Sequence, residues 1–391
     1  MTGSTFLFCD PISEERIRWY AGVLTAVNDE RNLTRPDTIS IFLTGDALFS
    51  LVDARTRPSW NALSSLPLIR IIADGDELHV QGLKDAVGSG CPYVHIRGHD
   101  SPEPFWESLV STLKKEWTGT KRAGFLLCNA PYMSRVPVYM LRFLNGVHHA
   151  DLHPELYTYL NGVHTLHDGQ RPSEFENIGR GVTALARDAA LSGRDSWYAA
   201  CSRCATARGY YQMNAGTGFC EPSSCIQEIE IRPLKQILAR FSENHPILSH
   251  AAGSIVLRGE PGGRVPHLLV CITNLPYYTE WTFGGLSLAI AAAMEGMPTT
   301  ILFIEDGVYA LHGTQEVPKH DKVFNIQEMI AVTTDVTNLR YCVHGPSLAD
   351  RGIQISEELS MVGEVADEDL ARIMYGTEEE SSKSALRMIF F

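Results

Sequence analysis

Residues 195–209 read DSWYAACSRCATARG, and this stretch predicts a strand that leads into a cysteine pair and then a helix. The apolar run Trp197–Ala200 is typical of a short buried strand, and residues 205–208 favour a helix. In a parallel sheet, Cys201 would then lie past the carboxyl end of a strand, where the N–H groups of a helix start favour an anion. Such a position lowers the pKa of a thiol. The stretch indicates either a reactive thiolate at Cys201, with Arg203 adding a positive charge, or thiols that only fill space.

Composition limits the classes of protein to which the chain can belong. Its 391 residues suit two or three domains, and 44% apolar with 20% charged residues is typical of a folded protein. A net charge of −13, with no Lys/Arg-rich tract, argues against a nucleic-acid partner. No apolar run reaches the length of a membrane span, and the amino terminus lacks a secretory signal. We therefore expect a cytoplasmic protein with no membrane span.

The cysteines are unevenly spread. There are nine of them, and Cys201, Cys204, Cys220 and Cys225 lie close together. In a chain without an export signal, this pattern favours reduced thiols with chemical or metal-binding roles over a disulfide framework.

The chain also repeats itself. Residues 125–170 match residues 270–315 at a constant offset of 145, which places Asn129, Pro131 and Tyr132 on Asn274, Pro276 and Tyr277. The first part of the chain repeats this pattern faintly, with 42–48 over 303–309. Further on, 200–209 match 343–352 at an offset of 143, and 73–82 keep the same seven-residue step.

Three copies of one βαβ-containing unit follow from these matches. We call them the first segment (1–118), the second segment (119–258) and the third segment (259–391). The predicted joints lie at 118–120 and near 259–264, where glycines cluster. The acidic stretch EEESSKS at 378–384 is expected to be a solvated loop.

Strands and helices alternate within each segment. In the third segment, His267–Thr273 is a predicted strand, and Thr279 is the expected N-cap of a helix over Glu280–Met294. In the first segment, Ser13 is expected to open a helix with Glu14 and Glu15 in its first turn. Further predicted strands of the third segment are Thr299–Ile304, Leu339–Val343, Ser360–Val365 and Arg387–Phe391. The pattern predicts an α/β protein of three tandem, doubly wound, flavodoxin-like units with mostly parallel sheets, whose sites lie at the carboxyl ends of strands.

Three turns of the third segment carry a family resemblance. Asn274-Leu-Pro-Tyr277, Phe303-Ile-Glu-Asp-Gly-Val308 and Ser347-Leu-Ala-Asp-Arg-Gly352 resemble the DsrE/DsrF/DsrH (TusD/TusC/TusB) sulfur-relay family. The resemblance covers 265–391 best, 122–210 well and 1–117 weakly. It implies three fused DsrE-like units, of which the first is degenerate, the second carries the cysteine and the third lacks it.

The resemblance also implies a function. In the family, a cysteine seven residues before the Arg of the Arg-Gly step is a persulfide carrier, and here those positions are Cys201 and Arg208. The matching positions hold Asp74 and His344, which should not carry sulfur. The implied partners are sulfur donor or acceptor proteins of the TusA-like or rhodanese-like type, and the implied assembly is a homodimer of six units. A structural fusion without chemistry is the alternative.

The leading hypothesis is sulfur transfer as a persulfide on Cys201, without a cofactor. Cys204, one helical turn later, either resolves that persulfide into a disulfide or faces the core. Tyr132 follows an Asn-x-Pro step at a strand end, where it either supports the site or packs at a contact between units.

A metal site is the competing hypothesis. The spacing Cys201-x2-Cys204-x15-Cys220-x4-Cys225 places four thiols in two short-spaced pairs, a set that can enclose zinc or hold an iron–sulfur cluster. If all four thiols bound a metal, Cys201 would no longer be a free nucleophile, and the protein would be a metal-binding or redox module.

Overall fold

The computed structural model describes residues 3–29, 33–257, 265–318, 320, 323–376 and 385–391. The expected joint near 259–264 and the acidic stretch 378–384 lie outside these ranges.

The first segment alternates strands and helices. In chain order these are β1 (Gly3–Phe8), α1 (Glu14–Asp29), β2 (Thr38–Leu43), α2 (Arg57–Ser64), β3 (Ile69–Asp74), α3 (Gly75–Val80), α4 (Lys84–Gly90), β4 (Val94–Arg97) and α5 (Phe105–Glu116).

The second segment adds a small hairpin to the same alternation. Its elements are β5 (Arg122–Leu127), α6 (Val136–His149), β6 (His153–Thr158), α7 (Ile178–Leu191), β7 (Trp197–Cys201), α8 (Ser202–Ala207), β8 (Tyr211–Met213), β9 (Cys220–Pro222), β10 (Glu230–Arg232), α9 (Leu234–Phe241), β11 (Ile247–Leu248) and β12 (Ala251–Val256).

The third segment returns to the plain alternation. It contains β13 (His267–Ile272), α10 (Trp281–Met294), β14 (Thr299–Phe303), α11 (Ile326–Val332), β15 (Leu339–His344), α12 (Gly345–Arg351), β16 (Gly363–Val365), α13 (Asp367–Tyr375) and β17 (Ala385–Phe390). Four 3₁₀ helices complete the description: Gly45–Leu51, Leu160–Leu166, Glu305–Leu311 and Glu357–Leu359.

The strands form two main sheets. A five-stranded sheet has the order β10-β7-β6-β5-β11, and all of its pairs are parallel. A ten-stranded sheet has the order β16-β15-β14-β13-β17-β12-β1-β2-β3-β4. In it, only the two pairs made by β12 are antiparallel. The predicted α/β class with mostly parallel sheets is confirmed, whereas the division into three units stays a prediction.

The strands of the first and third segments therefore share one sheet. The strand that joins them, β12, comes from the end of the second segment and pairs with β1 on one side and β17 on the other. Alternate residues of β1 enter different cores: Phe6 and Phe8 pack with α1, whereas Leu7 packs with the second segment. This sheet therefore has a hydrophobic core on each of its faces.

Local sequence signals explain how several of these helices begin. Ser13 Oγ accepts the N–H of Arg16 at 3.0 Å, and Glu14 and Glu15 occupy the first turn of α1, as expected. Helix α10 begins one residue later than predicted, because Glu280 rather than Thr279 is its N-cap residue. Thr279 Oγ1 still accepts the N–H of Trp281 at 3.3 Å.

Two other expectations need correction. The predicted strand Ser360–Val365 shortens to Gly363–Val365, because the chain is in a 3₁₀ helix and a turn just before it. The predicted match of 42–48 to 303–309 is wrong by one residue. The 3₁₀ helices begin at Gly45, Leu160 and Glu305, each with positive φ, so Leu43 rather than Phe42 corresponds to Phe303.

Candidate functional site

Cys201 lies where the sequence placed it, at the junction of a strand and a helix. It is the last residue of β7 and the N-cap residue of α8, with φ −60° and ψ 118°. β7 is an inner strand of the five-stranded sheet, between β6 and β10. The Cys201 side chain is only 1% exposed, so this thiol is enclosed rather than open at the surface.

Hydrogen bonds favour the thiolate form of Cys201. A hydrogen bond from the Cys204 thiol, with others from the backbone N–H groups of Cys204 and Arg203 and the nearby Arg203 charge, lowers the pKa of Cys201 to about 7, even though burial opposes the shift. Hydrogen bonds to the charged form of an acid lower its pKa in this way. The thiolate form of Cys201 is therefore favoured more than that of an ordinary thiol.

Cys204 has the opposite tendency. Its hydrogen bond to Cys201, together with burial, raises the pKa of the Cys204 thiol far above its usual range. One sulfur of the pair is thus a thiolate acceptor and the other a protonated donor. The two predicted residues are adjacent in the structure, and their pKa values shift in opposite directions. Their role in sulfur chemistry stays a prediction.

Two arginines connect the site to the third segment. The Arg203 guanidinium lies 5.5 Å from the ring centre of Phe283 and 6.0 Å from that of Phe324. Arg208 donates to Asn161 Oδ1 at 2.9 Å and forms an ion pair with Glu280. Both predicted supporting arginines therefore lie at the boundary between α8 and α10.

Sequence reasoning missed two buried groups beside the cysteines. Tyr159 is buried, and its hydroxyl donates to the carbonyl of Gly284 at 3.0 Å. Burial raises the pKa of this phenol, and Cys204 and Cys201 add to that shift. Cys128 follows the end of β5, and burial raises the pKa of its thiol well above the ordinary value. The signal for Cys128 was its place after the apolar strand FLL at 125–127.

Tyr132 occupies a different place from the cysteine pair. Its hydroxyl donates to Gln170 Oε1 at 2.8 Å, and Tyr277 makes the matching bond to Gln315 at 2.8 Å. Tyr132 also lines a cavity that contains Cys9. These contacts are those of a residue that joins two loops of one segment, and a supporting role in the chemistry stays a prediction.

The other two cysteines of the predicted metal set lie outside the junction of β7 and α8 that holds Cys201. Cys220 is an exposed residue of β9, which pairs with β8 in a two-stranded hairpin. The half-buried Cys225 donates its S–H to the carbonyls of Ser223 at 3.1 Å and Tyr210 at 3.4 Å. Within the described ranges, no group of three or more His, Cys, Asp or Glu side chains is arranged to hold a metal ion.

Asp74 occupies the position of Cys201 in the first segment. It is the N-cap residue of α3, and its carboxylate accepts the N–H groups of Asp76 and Glu77. Thr44 Oγ1 donates to it at 2.8 Å. Burial raises the pKa of Asp74 to about 6 against these hydrogen bonds.

His344 occupies the same position in the third segment, as the N-cap residue of α12. Its Nδ1 lies 2.8 Å from Ser347 Oγ, and its Nε2 lies 3.0 Å from Asp367 Oδ1. Ser347 Oγ donates to Glu15 of the first segment at 2.6 Å. The predicted register of Asp74, Cys201 and His344 is therefore confirmed as a shared N-cap position.

Comparison with known proteins supports part of the resemblance. Residues 267–375 match the DsrE/DsrF-like family. The matched range lies within the third segment and includes His344, whereas Cys201 lies in the second segment. No curated protein matches the chain.

One structural comparison is with the YchN protein from E. coli. It is 19% identical to this chain, with a TM-score of 0.27, and the match covers 32% of this chain and 100% of YchN. Separately, none of the helices in the described part of the chain is both long and apolar enough to cross a membrane.

Proposed function

We propose that this protein carries sulfane sulfur as a persulfide on Cys201. The observation that supports this most directly is the lowered pKa of Cys201, about 7, at a strand end whose register matches the DsrE/DsrF-like third segment. Thiolates rather than thiols attack sulfur, so a thiol that is ionised near neutral pH is suited to this exchange.

Loading is a thiol exchange in which atoms and electrons balance. The Cys201 thiolate attacks the outer sulfur of a donor persulfide, R–S–SH. The donor S–S bond breaks, its electron pair leaves with the donor as R–S⁻, and Cys201 becomes Cys–S–SH. Unloading repeats the step, with an acceptor thiolate attacking the outer sulfur and Cys201 leaving as the thiolate.

Cys204 acts first as a hydrogen-bond donor in this proposal. Its protonated thiol stabilises the Cys201 thiolate before loading and the same leaving group during unloading. If no acceptor arrives, Cys204 sulfur can attack the inner sulfur of the persulfide, which forms a Cys201–Cys204 disulfide and releases hydrogen sulfide. Protonation of Cys204 slows this side reaction, because the thiol is the weaker nucleophile.

Transfer to another protein requires local opening. Cys201 is 1% exposed, so a bulky donor cannot reach it in the described conformation. The boundary that would open carries the Arg208–Glu280 ion pair and the Arg203–Phe283 contact. Small inorganic polysulfides need a smaller displacement than a carrier protein does.

We further propose that the three segments are DsrE-like units fused into one chain. The strand orders β11-β5-β6-β7-β10 and β17-β13-β14-β15-β16 follow one plan, and β1-β2-β3-β4 repeats its last four positions. Gly82, Gly209 and Gly352 all have positive φ, from 61° to 80°, at the ends of the three matching helices. That conformation costs little only for glycine, which explains the shared Gly step.

The cellular setting is proposed from the resemblance. A cytoplasmic homodimer of six units, with TusA-like or rhodanese-like donor and acceptor proteins, fits the sulfur-relay function. Sedimentation at twice the 43.3 kDa of one chain tests the dimer; a single-chain mass would contradict it.

Transfer of labelled sulfur tests the function itself. A carrier protein loaded with isotope-labelled persulfide is mixed with wild type, Cys201→Ser or Cys220→Ser. We expect label on wild type and Cys220→Ser and none on Cys201→Ser. Equal labelling of all three proteins would sink the proposal. One equivalent of zinc or iron in elemental analysis, with no label on wild type, would favour the metal-binding alternative.

A further inference from the structure

A cationic cavity lies on the second segment, outside the cysteine site. It has a volume of about 440 Å³ and is open to solvent on one side. Its walls are the loop after the 3₁₀ helix Leu160–Leu166 and the first turns of α7. Arg171, Arg180 and Arg187 line it together with His167.

These charges are poorly neutralised. Asp168 is the one carboxylate among the lining residues. Arg187 is 3.8 Å from Glu228, and within the described part of the chain the guanidinium groups of Arg171 and Arg180 have no ion-pair partner. On a chain whose net charge is −13, three arginines around one cavity make a local positive potential that attracts anions.

The backbone at the start of α7 does not provide the site. The N–H of Gly179 donates to Gln170 Oε1 at 3.0 Å, and the N–H of Arg180 donates to Asn177 Oδ1 at 2.9 Å. These amides are already satisfied. Any anion in the cavity would therefore be held by the arginine side chains.

The third segment gives a natural comparison, because corresponding side chains make the same hydrogen bonds there. Gln170 and Gln315 both accept a tyrosine hydroxyl at 2.8 Å, and Asn177 and Asn325 both cap the helix that follows. The correspondence between the two segments therefore rests on the hydrogen bonds of these four side chains as well as on the sequence match.

The charge is reversed at the matching positions. Arg171 follows Gln170, whereas Glu316 follows Gln315. The backbone N–H of Arg180 donates to Asn177 Oδ1, and at the matching position the backbone N–H of Glu328 donates to Asn325 Oδ1. The fold does not require arginine at either position, so the positive charge distinguishes the second segment from the third.

We propose that this cavity binds a small oxyanion of sulfur or phosphorus, with Arg171 and Arg180 as the principal ligands. Guanidinium groups present paired N–H donors that match the oxygens of sulfate-like and phosphate-like anions. The cavity, at about 440 Å³, is several times larger than one such anion, which would be bound with water molecules around it. The proposal does not depend on sulfur transfer at Cys201.

Isothermal titration tests it with three probes: thiosulfate, sulfate and inorganic phosphate, all at constant ionic strength set by chloride. The test variant is Arg171→Glu/Arg180→Glu. The matched control is Lys84→Glu/Lys115→Glu, which changes the net charge equally at exposed lysines outside the cavity. We expect the test variant to bind about tenfold more weakly or worse, and the control to bind as wild type does. The probe that binds most tightly identifies sulfur or phosphorus as the source.

Three results would overturn the proposal: equal affinity in all three proteins, equal losses in both variants, or no binding of thiosulfate, sulfate or phosphate to the wild-type protein. Phenylglyoxal labelling of the wild-type protein needs no variant. The anion should protect Arg171 and Arg180 from modification and leave Arg55 unprotected. Repeating the titration with Cys201→Ser separates this site from the proposed function, because the anion should still bind there when sulfur loading is lost.

Discussion

At the scale of single residues, the hydrogen bond between Cys204 and Cys201 is the largest cause of the difference between their pKa values. Both thiols are largely buried, at 1% and 7% exposure, so burial alone would raise both pKa values. The Cys204 thiol donates to Cys201, which stabilises one thiolate and keeps the other sulfur protonated. Cys201 is thus the more acidic thiol of the pair, and Cys204 is its hydrogen-bond donor.

Replacing Cys204 by Ala should raise the pKa of Cys201. In wild type, the ultraviolet absorbance of the thiolate should titrate with a midpoint near the pKa of about 7, and Cys201→Ser should lack that transition. Without the donor thiol, we expect a midpoint at least about one unit higher. Cys225→Ala is the control, because Cys225 donates to Ser223 and Tyr210 instead. An unchanged midpoint in Cys204→Ala would show that the Cys204 donor does not set the pKa.

Asp74 provides a test based on stability. Its folded-state pKa of about 6 is above the unfolded value near 4, so the stability it contributes is fully present below about pH 4 and is lost as pH rises through 6. Asp74→Asn cannot ionise. Between pH 4 and 7, the free energy of unfolding of wild type should therefore fall relative to the variant by up to about 3 kcal/mol.

Urea unfolding at half-unit pH steps measures this difference. The two curves should separate between pH 4 and 6 and then run parallel. Parallel curves over the whole range would mean that Asp74 titrates at its ordinary pKa in the folded protein.

At the scale of elements, access to Cys201 depends on the boundary between α8 and α10. Arg208 and Glu280 form a partly buried ion pair across it, and Tyr159 donates to the carbonyl of Gly284 on the same helix. We expect these contacts to limit access to the cysteine pair. Local opening of such a boundary controls the rate at which a reagent reaches a buried thiol.

Replacing Glu280 by Gln should speed the reaction of Cys201 with a maleimide. Loss of the ion pair removes about 1 kcal/mol from the closed state, which corresponds to about a fivefold faster labelling rate. Glu295→Gln is the matched control, because Glu295 lies at the other end of α10 and pairs with Lys235 at 3.2 Å. The rate is measured by mass spectrometry of the Cys201 peptide. Equal rates in both variants and wild type would place the opening elsewhere.

Much of the element order could be predicted because apolar runs and turn residues are local signals. The strand before Cys201 and the helix after it needed only the pattern of residues 195–209. The pairing of β12 with β1 and β17 could not be predicted in this way. Its partners lie far apart in sequence, and a short strand of small apolar residues fits either sheet.

The site was predictable in part for the same reason. The strand-end position of Cys201 follows from local pattern and from its register with Asp74 and His344. Tyr159, Glu280 and Phe283 reach the site through packing between segments, which no local pattern encodes. The four-cysteine spacing predicts a metal site, but sequence proximity alone does not fix which way each thiol points, so that site stays a prediction.

At the scale of the whole molecule, a different pair of residues meets at each of the three contacts between the first, second and third segments. Glu305 accepts the indole N–H of Trp19 at 3.2 Å. At the two equivalent boundaries, Gly45 leaves room for Tyr139, and Gly284 leaves room for Leu160. The three contacts therefore use different side chains: a hydrogen bond in the first, and a close approach at a glycine in the other two.

A methyl group at Gly284 should test the last of these pairs. A Cβ there would lie 2.6 Å from Leu160 Cδ1, so Gly284→Ala should lower the free energy of unfolding by about 1–3 kcal/mol through overpacking. Adding Leu160→Ala should recover part of the loss. Gly88→Ala is the control, since a Cβ at that helical position meets no atom within 4 Å. Strictly additive effects of Gly284→Ala and Leu160→Ala in urea unfolding would show that the two residues are not coupled.

Whether Cys201 is the sulfur carrier is tested most directly by the intact mass of the protein after incubation with polysulfide. We expect a gain of about one or two sulfur masses that is lost on reduction, maps to the Cys201 peptide and disappears in Cys201→Ser. Because Cys220 is exposed and can react without any function, the measurement is made in Cys220→Ser protein as well. A gain that persists in Cys201→Ser and disappears in Cys220→Ser would show that Cys201 is not the sulfur carrier. A metal-sized excess in the native spectrum with no sulfur uptake would also contradict sulfur transfer at Cys201.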